Sequence, residues 1–108
     1  MTPKPVILRA AARQDVDDAV AHYAEEAGAD VALGFVDALD RVLRQIARHP
    51  ASGSPRYGHE LNLEGLRFWA LESHPQIVFD MEGSGHIDVW RVLHGRREIP
   101  TWMSERAR

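Results

Sequence analysis

A chain of 108 residues has the size of one domain, 1–108, because chains generally divide only above roughly 150 to 250 residues. With 44% apolar residues it can build one hydrophobic core, and its 0 cysteines exclude a disulfide framework, a thiolate metal site and a cysteine nucleophile. Charge is uneven: residues 1–49 hold 6 basic and 8 acidic groups, residues 50–90 hold 2 and 6, and residues 91–108 hold 5 and 2, so the positive excess lies at the end of a chain of net charge −3.

An acidic balance argues against a protein that wraps nucleic acid, whose affinity comes largely from phosphate neutralisation, so no direct DNA binding is expected. The apolar stretch Val6-Ile7-Leu8 ends at Arg9, far short of a signal peptide or membrane span. Together with the lack of cysteine this predicts a cytoplasmic protein with no membrane contact.

Thr2 to Ala10 holds two prolines and then Val6-Ile7-Leu8, which predicts a short first strand. From Ala12 to Ala27 the apolar residues Val16, Ala19, Val20, Tyr23, Ala24 and Ala27 recur at helical spacing. Asp15, Asp17 and Asp18 are expected in the early turns, opposing the helix dipole, and Gly28 supplies a left-handed C-cap. Asp30 is expected to cap a second helix whose apolar face runs through Val31, Ala32, Phe35, Val36, Leu39, Val42, Leu43, Ile46 and Ala47. Asp37 with Arg41 and Asp40 with Arg44 stand acid-before-base on its polar face, and Pro50 ends it. So short a connection makes the two helices an antiparallel hairpin.

Residues 50 to 62, rich in Pro, Gly, Ser and Asn, read as a loop. Leu66 to Leu71, Gln76 to Glu82 and His86 to Leu93 read as three strands of an antiparallel meander, with Gly83-Ser84-Gly85 at the last turn. A short final helix is expected after Glu98, with Pro100 in its first turn. The order β-α-α-β-β-β describes an α+β domain with the helix hairpin on one sheet face.

The six histidines show no HxH, HxxxH or HExxH spacing, so no metal site and no cofactor is expected. No phosphate-cradling glycine loop and no GxSxG elbow occurs. One strand is unusual. An unbroken period of two puts Arg91 on the same face as Ile87, Val89 and Leu93. Either a bulge or a snorkelling side chain relieves the arginine, or the sheet has an open end where Arg91, Arg67 and His94 meet. Such a trio could grip and cleave a phosphodiester without metal, with His94 as acid or base.

The run Arg91-Val92-Leu93-His94-Gly95-Arg96-Arg97-Glu98-Ile99, preceded by Ile87-Asp88-Val89, resembles the C-terminal signature of ParE toxins in the RelE/ParE superfamily of bacterial toxin–antitoxin systems. Ala11 to Tyr23 is similar to the first helix of that family and Ala32, Phe35 and Leu39 to its second. His49-Pro50-Ala51-Ser52-Gly53 is similar to its helix-ending turn, and Gly65-Leu66-Arg67 to the start of its next strand.

The resemblance implies a β-α-α-β-β-β toxin neutralised by a cognate ParD-like antitoxin, acting without enzymatic chemistry on DNA gyrase. The alternatives are a RelE-like ribosome-dependent messenger RNA endonuclease, with Arg67, Arg91 and His94 as its catalytic groups, or an inactive partner-binding member. A RelE-like site also resembles a basic cleft with several lysines and a C-terminal tyrosine. Here the only lysine is Lys4, and Tyr23 and Tyr57 lie outside the terminal region.

Antitoxin contact is expected on the hairpin, at Val20, Tyr23, Ala24, Phe35, Val36 and Leu39, or at open strand edges. Target contact is expected at Arg91, Arg96, Arg97 and Trp102, since an aromatic among arginines suits an interface anchor. Trp102 packing on the sheet is the competing expectation.

Overall fold

The computed structural model describes residues 3–96, 98, 99, 101 and 102. Strand β1 (Val6–Leu8) leads into helices α1 (Ala10–Ala27) and α2 (Ala29–Arg48), a 3-10 turn (Pro50–Ser52) and helix α3 (Arg56–Leu61). Strands β2 (Leu66–Ala70), β3 (Gln76–Glu82) and β4 (Ile87–His94) follow. The sheet order is β1-β4-β3-β2, with the meander antiparallel and β1 parallel to β4. The hairpin between β1 and the meander supplies the crossover that a parallel neighbour requires. Among the described residues no helix is long and apolar enough to cross a membrane.

Strand alternation sends side chains to two faces, and both faces are covered. Val78, Val89, Val92 and Ile87 meet Ala12, Phe35, Ala38, Leu39, Val42 and Ile46 of the hairpin. On the opposite face Leu66, Phe79 and Leu93 meet Ile99 and Trp102 of the C-terminal segment, together with Tyr57 and Leu61 of α3. The predicted one-sided helix layer is therefore half of the packing. The 50–62 loop was expected to carry no helix, yet it contains the 3-10 turn and α3. Its Gly and Asn residues conceal a short helix whose Tyr57 and Leu61, four apart, share the buried face. Gly58 has a steric role, since a Cβ there would lie 2.7 Å from the Leu66 carbonyl oxygen and 2.8 Å from that of Leu63.

Two helix starts differ from the sequence reading. Helix α1 begins at Ala10, two residues early, so Asp15, Asp17 and Asp18 lie beyond its first turn, which holds no acidic residue. Gly28, at φ +95°, ends α1 and stands before α2, so Asp30 falls inside the first turn of α2 and caps nothing. It still opposes the helix dipole there. On the polar face of α2, Asp40 and Arg44 form the expected pair at 2.9 Å.

Candidate functional site

The site is organised by an irregularity in β4. Asp80 pairs with Val89 and Phe79 with Arg91, so Trp90 is the extra residue of a β-bulge. The bulge resets the alternation. Ile87, Val89 and Val92 face the hairpin, whereas Trp90 and Leu93 join the opposite core. Of the two expectations for this strand, the bulge is the one observed, and it removes the arginine from the apolar lane of Ile87 and Val89.

The side chain of Arg91 instead reaches α1. Its Nε donates to Asp15 Oδ2 at 2.7 Å and its guanidinium NH2 group to Asp15 Oδ1 at 2.8 Å, a bidentate pair. Asp15 has a side chain only 8% exposed and also accepts the Val92 backbone N–H at 3.0 Å. The second role follows from topology. Strand β1 pairs with β4 only as far as Leu8 and Val89, so beyond that point Val92, paired with Val78 of β3 on its other side, has no strand on the β1 side and its N–H takes another acceptor. One carboxylate thus replaces a missing strand and neutralises an arginine.

Beside this pair lies a cleft of about 390 Å³ lined by Asp15, Asp18, His22, Tyr23, Gln76 and His94, with Glu98 at its margin. Buried Gln76 accepts the Tyr23 hydroxyl at 3.1 Å. The strand exit is locked locally, since Glu98 Oε1 accepts the His94 N–H at 3.0 Å and the Glu98 N–H returns to the His94 carbonyl at 3.0 Å. His94 Nδ1 lies 3.2 Å from the Arg96 N–H, which makes it an acceptor and leaves the ring proton on Nε2. With Asp15 neutralised by Arg91, the carboxylates of Asp18 and Glu98 disfavour a phosphate in the cleft.

The expected trio is not brought together. Arg67 lies in β2, on the far side of β3 from Arg91, roughly 10 Å away at two inter-strand spacings. Its guanidinium donates to the Gly53 carbonyl at 3.0 Å. Among the described residues no group of three or more His, Cys, Asp or Glu could hold a metal ion.

The residues expected at interfaces divide by burial. Phe35 is 0% and Leu39 5% exposed, both within the hairpin core, so the stripe that marks them as apolar is the one the sheet covers. They are corrected from contact residues to core. Val20 and Tyr23 are partly buried against that core, Ala24 is exposed, and Val36 is 38% exposed. Leu33 and Val31 are also exposed and were missed, although Leu33 stands outside the apolar stripe and was legible as such. Arg96 is exposed, and Arg97 lies outside the described residues. Trp102 is 5% exposed, with its ring 4.7 Å from that of Phe79, so it is corrected from surface anchor to core.

Comparisons agree with this architecture. The family model of the ParE toxin of type II toxin–antitoxin systems (parDE) matches residues 6–99. A solved structure described as the chromosomal ParDE TA system from P. aeruginosa superposes with a TM-score of 0.72 at 19% identity, covering 87% of this chain and 98% of that one. A search of curated proteins finds no match. The strand, helix hairpin and three-stranded meander thus recur in a ParDE system, and with most of its length matched the chain belongs to the ParE toxin family of type II toxin–antitoxin systems.

Proposed function

We propose that this chain is a toxin that inhibits DNA gyrase, a type II topoisomerase, by protein–protein contact, and that a cognate ParD-like antitoxin neutralises it in the cytoplasm. The observation that carries the choice of a binder over a nuclease is the Arg91–Asp15 pair beside an acid-lined cleft. Cleavage of a phosphodiester needs uncompensated positive charge at the developing oxyanion and a placed acid or base. Arg91 is compensated by Asp15, and Arg67 stands two strands away. Exposed Arg96 is the described basic residue proposed for target contact, and Arg97, proposed with it, lies outside the described residues.

The test is induction of the chain alone in a host cell, followed by growth, DNA damage response and message integrity. Growth arrest with a DNA damage response and intact message is expected. Ribosome-dependent cleavage by the purified protein, abolished by His94→Ala with the fold preserved, would instead establish the nuclease.

The antitoxin is proposed to cover the apolar surface that the hairpin leaves open, at Leu33, Val36 and Val31 on α2 and Ala24 on α1, with Val20 and Tyr23 beneath its margin. Amphipathic segments bind such surfaces by apolar anchors at helical spacing. Leu33→Asp combined with Val36→Asp is expected to weaken co-purification with the antitoxin at least about tenfold without changing the melting temperature by more than a few degrees, because both residues are solvent-facing. Undiminished antitoxin affinity in the double variant would move the interface elsewhere, with the open edge of β1 at Ile7 as the next place to look.

A further inference from the structure

Asp80 is the one charged residue type buried completely among the described residues, at 0% exposure, and the site above makes no use of it. It lies in the middle of the sheet, on the face that carries Val78 and Val89. Neither carboxylate oxygen makes a hydrogen bond of good geometry, and the buried indole Nε1 of Trp69 on the adjacent strand makes none either, yet it lies close enough to favour the ionised acid. Arg67 is the directly opposed residue on β2, so its stem starts about 5 Å from that of Asp80 on the same face. The Arg67 guanidinium, however, points to the Gly53 carbonyl.

Gly53 is pressed onto this group. A Cβ at Gly53 would lie 2.5 Å from Trp69 Nε1 and 3.0 Å from Arg67 Cβ. The next residue, Ser54, forms an isolated bridge to Phe68, its N–H donating to the Phe68 carbonyl at 3.0 Å and its carbonyl accepting the Phe68 N–H at 2.9 Å. The connection from α2 to β2 is therefore held on the sheet edge by two adjacent attachments, the Ser54–Phe68 bridge and the Arg67–Gly53 bond. A buried acid stands within reach of the second.

We propose that Asp80 is a proton-operated latch for the α2–β2 connection: protonated, it leaves Arg67 on the Gly53 carbonyl, and ionised, it draws Arg67 and the Trp69 indole N–H to itself and releases the segment around Gly53 and Ser54. An ionised carboxylate with no partner in an apolar interior is costly, whereas one accepting a guanidinium and an indole N–H is compensated. Both donors are already on the correct face, and the change requires only side-chain rotation. Burial pushes the Asp80 carboxyl from 3.8 up to about 7, a rise moderated by the attraction of Arg67 and reinforced by Glu82 two residues along β3. From β4 it faces Val89, the hairpin covers it with apolar residues such as Phe35, Leu39 and Val42, and the charged groups of that side, Asp15 of α1 and Arg91 of β4, are paired with each other. The group therefore changes charge near neutral pH. Because its value is raised in the folded state, stability is complete below about 4 and declines as pH rises through the window to about 7.

The test is amide exchange and the indole N–H resonances of the full chain, followed by nuclear magnetic resonance from pH 5.5 to 8.5. Expected is a titration of the Trp69 indole proton centred near 7, with the protection factors of Ser54 and Phe68 falling roughly tenfold across the same range. Asp80→Asn, which holds the neutral shape, should abolish both changes and keep the segment protected throughout. Arg67→Gln should lower Ser54 protection already at pH 5.5, because the Gly53 bond is gone at every pH. If Asp80→Asn titrates as the parent does, a histidine such as His49 or His59 is responsible and the latch is wrong. A parent protein with flat Trp69 and Ser54 signals over the whole range overturns it equally.

Discussion

Replacing Asp15 with alanine is expected to cost about 3 kcal/mol of folding stability, the loss typical of breaking a buried ion pair by removing one partner. Three hydrogen bonds end on that carboxylate, two from Arg91 and one from the Val92 backbone. The alanine variant removes the bidentate acceptor from a guanidinium 28% exposed and the acceptor from a strand N–H. In a domain of this size the loss lowers the melting temperature by well over 10 °C, since each kcal/mol is worth roughly 4 to 8 °C. Asp15→Asn should recover part of it, because the amide oxygen can still accept the Val92 N–H while the charge attraction is lost. Thermal melting by circular dichroism on the three proteins decides the matter. If the alanine variant melts within about 2 °C of the parent, water serves Val92 and Arg91 as well as Asp15 does, and the pair does not hold the end of β4.

The second large effect concerns the C-terminal segment. Trp102 packs on Phe79 in a core that also holds Leu66, Leu93 and Ile99, so Trp102→Ala is expected to cost about 3 to 5 kcal/mol through lost contact and the cavity left behind. Deleting residues 100–108 removes the same ring and should be at least as damaging. Because the second core rests on the face of the sheet opposite the hairpin, where antitoxin contact is proposed, the loss is expected to reach antitoxin binding only through general destabilisation. Truncation should therefore lower the melting temperature, antitoxin capture and toxicity together. A truncated chain that melts like the parent and binds antitoxin, yet no longer arrests growth, would return the segment to the target interface and refute its assignment as core.

The two predictions share a feature that bears on mechanism. Both effects arise from residues whose types suggest surface chemistry, an aspartate near a helix start and a tryptophan among arginines, and both are tied to the frame of the sheet. Trp102 is anchored on Phe79, and the arginine of β4 is anchored by its acid. The residues proposed for partner contact are instead exposed ones: Arg96 at the strand exit and Leu33 and Val36 on the hairpin.

The order of the four strands and the two long helices, though not α3, was legible in the amino-acid sequence because it depends on local regularities. Apolar residues at helical spacing marked α1 and α2, Pro50 marked the end of α2, and glycine and proline separated three strands of nearly the observed bounds. The run from Arg91 to Ile99 also carried the family resemblance, since it is contiguous. What tertiary structure decided is everything that depends on which strands are neighbours. The parallel docking of β1 ends at Val89 and leaves the β1 side of β4 open at Val92, so Asp15, a residue that reads as a dipole partner, becomes an acceptor 77 positions away. The bulge at Trp90 shifts Arg91 out of its lane, and no feature of alternation in β4 alone distinguishes that bulge from a snorkelling arginine. Placing β3 between β2 and β4 separates Arg67 from Arg91, and covering the second sheet face turns Trp102 from a surface candidate into core. Local propensity acts over a few residues, whereas strand order and burial are set by the packing of the whole chain, which is why the elements could be read in advance and the partners of these side chains could not.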